Sequence, residues 1–137
     1  MTKILAIDYG QKRVGIAISD ALGITAQPRP WIANDKHMYE RLLSLISENS
    51  VSEIVIGLPL TLRGTPSAMS REVEVFSKTL GEKISIPIAL QDERFSTSES
   101  EKILIAADVS REKRKDVRDS MVASIILQDY LERKQNA

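Results

Sequence analysis

Two apolar, β-branched runs, Ile4-Leu5-Ala6-Ile7 and Val14-Gly15-Ile16-Ala17-Ile18, are separated only by residues 8–13. So short a connection joins antiparallel strands but not parallel ones, which need a crossover of a dozen residues or more. Residues 3–8 and 14–19 therefore read as a hairpin, with Gly10 expected to supply the unusual backbone angle of its turn. Asp8 fits that ribbon poorly. It closes an apolar run, where an ionised group is costly to bury unless something positive meets it.

The rest of the chain must cover the hairpin. A third strand is expected near residues 28–33, at a sheet edge because Pro28 and Pro30 cannot donate ladder hydrogen bonds. Over residues 36–50, Met38, Leu42, Leu45 and Ile46 recur at helical spacing. Residues 53–57 then form a short apolar strand. GLPLTLRGTPS, with two Gly and two Pro in eleven residues, is a loop, followed by a second helix to about Leu80 and a fifth strand over residues 86–92. Ser96 with Glu99 matches a capping box, which predicts a third helix to about Ala107. The charged SREKRK is expected as a loop leading into a fourth helix from about Asp116 to Arg133. The order gives an α/β domain with a five-stranded mixed sheet. At 137 residues, without repeat or linker, the chain makes one domain, residues 1–137.

Composition excludes several functions. Hydrophobic content of 42% with 28% charge is that of a soluble globular protein, and no long uncharged apolar run is present to span a membrane. MTKILAID is too soon interrupted to act as a signal peptide, so the cytoplasm is the expected location. Without cysteine there is no disulfide, thiolate metal site or cysteine nucleophile, which leaves oxygen ligands as the main way to hold a metal. Six aromatic residues offer no obvious base-stacking platform. A net charge of zero argues against a uniformly basic coat but allows a local patch. His37 reads as a surface residue, Trp31 as cover for the core, and the methionines as fillers.

Ligands of open α/β sheets bind beyond the carboxyl ends of the parallel strands. The first strand ends at Asp8 and the fifth in Gln91-Asp92-Glu93-Arg94; if both flank the fourth, about 10 Å separates their backbones. Asp119 is expected in the first turn of the last helix, at the head of the stripe Ala123, Ile126, Leu127 and Tyr130. Three carboxylates sharing one edge would repel one another, and a divalent cation, Mg²⁺ or Mn²⁺, relieves that repulsion. Such ions activate water and stabilise the leaving oxygen in phosphodiester hydrolysis. Taken singly, Asp8 also suits a turn, Glu93 a surface pair with Arg94, and Asp119 a helix N-terminus capped by Asp116.

Together DYGQKRVGIAISD, GLPLTLRGTPS, DERFST and RDSMVASIILQDYL resemble, in order and separation, the motif series of the YqgF/RuvX family over nearly the whole chain. The resemblance implies a ribonuclease H-like fold, with helices packed on both faces of the sheet, and a metal-dependent nuclease. That family is described both as a Holliday junction resolvase and as the nuclease that processes the 5′ end of the 16S ribosomal RNA precursor. By motif, Asp8, Glu93 and Asp119 take its catalytic, metal-holding positions, with Asp116 a rival for the third. Lys12 and Arg13 belong to the first motif, and Arg63 and Gly64 to the loop that resembles the family's mobile segment near the substrate.

Beside the third acid, REKRKDVR carries five cations, Arg111, Lys113, Arg114, Lys115 and Arg118, against two anions. With Lys12, Arg13 and Arg63 these are candidates for holding a polyanion, structured RNA or branched DNA; a solvated charged stretch is the plainer alternative. Ribosomal RNA processing leads, with junction resolution as the alternative. A resolvase acting on two strands suits a homodimer and a trimming enzyme a monomer. Two further readings rank lower: a nucleic-acid-binding factor without hydrolysis, and Mg-ATP binding of the actin-like kind, for which the chain lacks a second half.

Overall fold

The computed structural model describes residues 3–61, 63–92 and 111–135, with side chains of the last stretch from Ser120 onward. The helix expected between Ser96 and Ala107 lies outside the described residues.

The hairpin forms as β1 (Lys3–Asp8) and β2 (Arg13–Ser19), with Asp8 opposite Gly15. On the far side of β2 lies β3 (Ala26–Ala33), an edge strand as its prolines require. Helix α1 (Met38–Glu48) carries the chain back so that β4 (Val51–Leu58) joins β1 in parallel, and α2 (Ala68–Gly81) does the same for β5 (Ile88–Asp92) beside β4. The sheet order is β3-β2-β1-β4-β5, and α3 (Arg111–Gln135) closes the described chain. Among the described residues, no helix is long and apolar enough to cross a membrane.

Strand alternation gives the two faces different side chains. Leu5, Ile7, Ile16, Ile18, Ile54 and Ile56 form the bulky face, under α1 and α2, where Leu42, Val73, Phe76 and Leu80 complete one core. The other face carries Ile4, Ala6, Ala17 and Val55, packed against Ala123, Ile126, Leu127 and Leu131 of α3. Small residues there let α3 approach the sheet closely enough for a serine hydroxyl to reach strand backbone. Helices thus cover both faces, as expected.

Two local expectations are corrected. Gly10 does not supply a left-handed angle, because among the described glycines positive φ belongs to Gly23 at 70° and Gly64 at 82°. Gly10 is needed for space: a Cβ there would lie 2.5 Å from the Arg13 carbonyl oxygen. The second correction concerns α3, which begins at Arg111, so the residues from 111 onward are helix and not a leading loop. Arg, Glu and Lys are good helix formers, and no Gly or Pro interrupts residues 111–118. Asp116 is therefore no N-cap, and Asp119 lies more than two turns inside the helix, beyond reach of its N-terminal dipole.

Candidate active site at the carboxyl edge of the sheet

Asp8 ends β1 at the level of Gly57 on β4, and Gly57 is in register with Gln91 on β5. The neighbours β1, β4 and β5 are parallel, so their carboxyl ends share one edge, with Asp8 and Asp92 on either side of β4. By alternation Asp8 lies on the face of Ile4 and Ala6, the side covered by α3. Its carboxylate is half-buried there.

Two polar contacts fix α3 across that face. The Ser120 hydroxyl accepts from the Ile16 N–H at 3.3 Å and donates to the Arg29 carbonyl at 2.5 Å. The register of β2 against β3 shifts between Val14 and Ile16, and Ser120 bridges the backbone groups at that irregularity. At the other end, the buried Gln91 side chain donates from Nε2 to the Ile126 carbonyl at 2.9 Å. Ile16 follows Gly15, the partner of Asp8, so the Ser120 anchor draws the backbone of residue 119 to the neighbourhood of Asp8. Sequence reasoning missed Ser120 and Gln91. Ser120 carried a signal, a hydroxyl residue one place after the last acid at the head of the stripe Ala123, Ile126 and Leu127.

The turn after Asp8 is also held. The Asn34 side chain donates from Nδ2 to the Gly10 carbonyl at 2.7 Å, and its backbone N–H donates to the Lys12 carbonyl at 2.9 Å. Lys12 and Arg13 are exposed beside the acid, and the Arg13 guanidinium lies 4.8 Å above the Trp31 ring. Arg63 is exposed in the loop after β4. Thr61 and Thr65 close that loop through a 2.6 Å contact of their hydroxyls, and Gly64 donates to the Thr61 carbonyl at 2.8 Å. Its base is fastened by Ser67, whose hydroxyl accepts from the Ser70 N–H and donates to the Pro59 carbonyl at 2.6 Å.

Glu93, next after Asp92, lies outside the described residues, as do the side chains of Asp116, Asp119 and the cations Arg111, Lys113, Arg114, Lys115 and Arg118 on α3. No group of three His, Asp or Glu side chains gathers among the described residues. The donor chemistry at the edge is oxygen alone, which suits a hard divalent cation. His37 is exposed at the start of α1 and pairs with Glu40 at 3.4 Å, remote in sequence from the acids.

A mixed five-stranded sheet in the order β3-β2-β1-β4-β5 with helices on both faces is the architecture of the ribonuclease H-like class. The same fold appears in the fowlpox virus resolvase bound to Holliday junction DNA, at a TM-score of 0.62 with 14% identity, over 97% of this chain and 99% of that one. The chain belongs to the RuvX family, whose model, described as Holliday junction resolvase, matches residues 2–133. It is 44% identical to a protein of Geobacillus thermodenitrificans over 97% of this chain and 99% of that protein. It is 47% identical to one of Desulforamulus reducens, over 95% and 96%. Both are named "Putative pre-16S rRNA nuclease".

Proposed function

We propose that this nuclease hydrolyses phosphodiester bonds in the 5′-end processing of the 16S ribosomal RNA precursor, with Asp8, Glu93 and Asp119 as its metal-holding acids. The observation that carries the site is the Ser120 anchor, which ties the helix bearing Asp119 to the strand paired with Asp8. The names of relatives that match over nearly their whole length support the substrate. Bound Mg²⁺ or Mn²⁺ supplies activation of water and stabilisation of the departing oxygen. Asp8 contributes a fixed anionic oxygen at the strand end, and the half-buried face around it limits water. Lys12, Arg13 and Arg63, with the cations at residues 111–118, offset the charge of the incoming backbone.

A second reading, junction resolution on branched DNA, has the family description and the fold of the fowlpox enzyme in its favour. One experiment addresses both. Purified protein, with Asp8→Asn and Glu93→Gln beside it, is incubated with Mg²⁺ or Mn²⁺ and end-labelled ribosomal RNA precursor, single-stranded RNA, duplex DNA or four-way junctions. Metal-dependent cutting of the precursor, lost in both variants, is the expected result. Preference for the four-way junction moves the assignment to resolution, and a fully active Asp8→Asn protein removes Asp8 from the site.

A further inference from the structure

Beside the acidic edge, on the other face of the sheet, lies a groove that metal chemistry leaves unused. Tyr9, the next residue after Asp8, packs with the core under α1 and α2 rather than with α3. Its ring stacks on Phe76 with centroids 4.5 Å apart, and Tyr39 meets Phe76 at 5.8 Å. Half of the six aromatic residues therefore gather at one place, from positions 9, 39 and 76 that share no local motif. With Arg71, Glu72 and Val75 they line an open groove of about 450 Å³. Val75 is 66% exposed, an apolar side chain that no described element covers. Glu72 accepts from the Gln11 amide at 3.5 Å, which links α2 to the turn that follows Asp8.

We propose that this groove is a subsite for one unpaired nucleobase of the substrate strand, seated against Tyr9 and Val75 with the Arg71 guanidinium on an adjoining phosphate. The proposal rests on the nuclease reading and specifies the form of its substrate. Aromatic faces take any base by stacking, and a neighbouring guanidinium suits the phosphate that comes with it. The Gln11 and Glu72 side chains add hydrogen-bonding groups at the rim. Tyr9 follows Asp8 directly at the end of β1 but lies on the opposite face of the sheet, so a strand whose phosphate meets Asp8 reaches Tyr9 with a neighbouring nucleotide by passing round the carboxyl edge. A base held in a stack of paired bases has no free face to offer. The preferred substrate is thus single-stranded or splayed beside the bond to be cut, a condition met more readily by a precursor end than by a fully paired arm.

The test uses full-length protein carrying Asp8→Asn, so that strands are bound and not consumed. It is titrated with fluorescent RNA and DNA oligonucleotides of one sequence, single-stranded or as blunt duplexes, with and without Tyr9→Leu or Val75→Glu. Either added substitution is expected to weaken single-strand binding about fivefold or more while leaving duplex binding within about twofold. An abasic residue, moved along the single strand, should cost the same factor at one register when Tyr9 is present and nothing with Tyr9→Leu. Val75→Glu changes an exposed side chain and keeps the test decisive even if Tyr9→Leu disturbs the aromatic cluster. Unchanged single-strand binding in both variants, or an equal loss on duplexes, overturns the subsite and leaves the nuclease reading intact. Failure of every strand to bind overturns both. The RNA and DNA arms identify which strand supplies the base.

Discussion

Ser120→Ala tests how the acidic edge is assembled. The hydroxyl serves two backbone groups, the Ile16 N–H and the Arg29 carbonyl, and Ser120 is fully buried. Its removal leaves both without that partner, at about 1–3 kcal/mol for the buried Ile16 N–H and toward the low end of that range for the partly buried Arg29 carbonyl. Alanine returns about 0.5 kcal/mol through helix propensity. The low end of the net loss is about 1.5 kcal/mol, reached if β2 and β3 partly close on each other across the irregularity. With an unfolding entropy of about 2.1 cal/mol/K per residue, a chain of this length loses about 3–4 °C of Tm per kcal/mol. Calorimetry should therefore show a fall of about 5 °C or more. Metal-dependent cleavage, assayed well below that transition, should fall too, because the helix position next to Asp119 has lost its tie to β2. A Tm within about 2 °C of the parent, with full cleavage, would refute the idea that Ser120 holds α3 to the acid-bearing hairpin.

Gly10→Ala should destabilise by about 1–3 kcal/mol and reduce cleavage, since its Cβ would meet the Arg13 carbonyl oxygen at 2.5 Å and the turn beside Asp8 must shift; a melting curve with an activity assay checks both. At the far end of the sheet, Glu53 accepts from the Tyr130 hydroxyl and pairs with Lys134 at 2.5 Å. Burial opposes ionisation of Glu53, yet the bonds from Lys134 and Tyr130 outweigh it and hold the carboxyl below its ordinary value. That contribution is complete above the ordinary carboxyl value and is lost as pH falls through the lowered one, so urea midpoints between pH 3 and 7 should drop less with acid in Glu53→Gln than in the parent. Burial and the same carboxylate push the Tyr130 phenol up to about 12. Its contribution is present below the ordinary phenol value near 10 and vanishes as pH rises through about 12, which Tyr130→Phe should abolish in alkaline melts.

Much of the fold is legible because its signals are local. The short spacing between two apolar runs fixes the hairpin, and Pro28 and Pro30 fix the edge strand, since each depends on a few adjacent residues. The start of α3 is less legible, because a run of charge reads as loop. A charged run and a solvated helical turn have the same composition, and only the lack of Gly or Pro in residues 111–118 separates them. The need for glycine at position 10 is legible, but its physical reason is not. Its neighbour in the clash is three residues away and becomes visible only when the chain closes.

The candidate site divides in the same way. Asp8 is legible because an acid at the end of a buried strand contradicts its surroundings, whereas Gln91 stands out in no pattern and Ser120 only as a hydroxyl next to the last acid. Their roles exist only across the sheet, Ser120 between residues 104 positions apart and Gln91 between residues 35 apart. Both contacts also depend on how closely α3 approaches, and that is set by Ala6 and Ala17 on the sheet and Ala123 on the helix. A leucine at position 17 would hold the helix away from β2, beyond the reach of a serine side chain. The small residues therefore act on the site without touching substrate: they allow the hydroxyl to meet the strand, and the hydroxyl sets where the last acid enters. In this chain, the unremarkable alanines of the second core are as much a condition of the acidic edge as Asp8 itself.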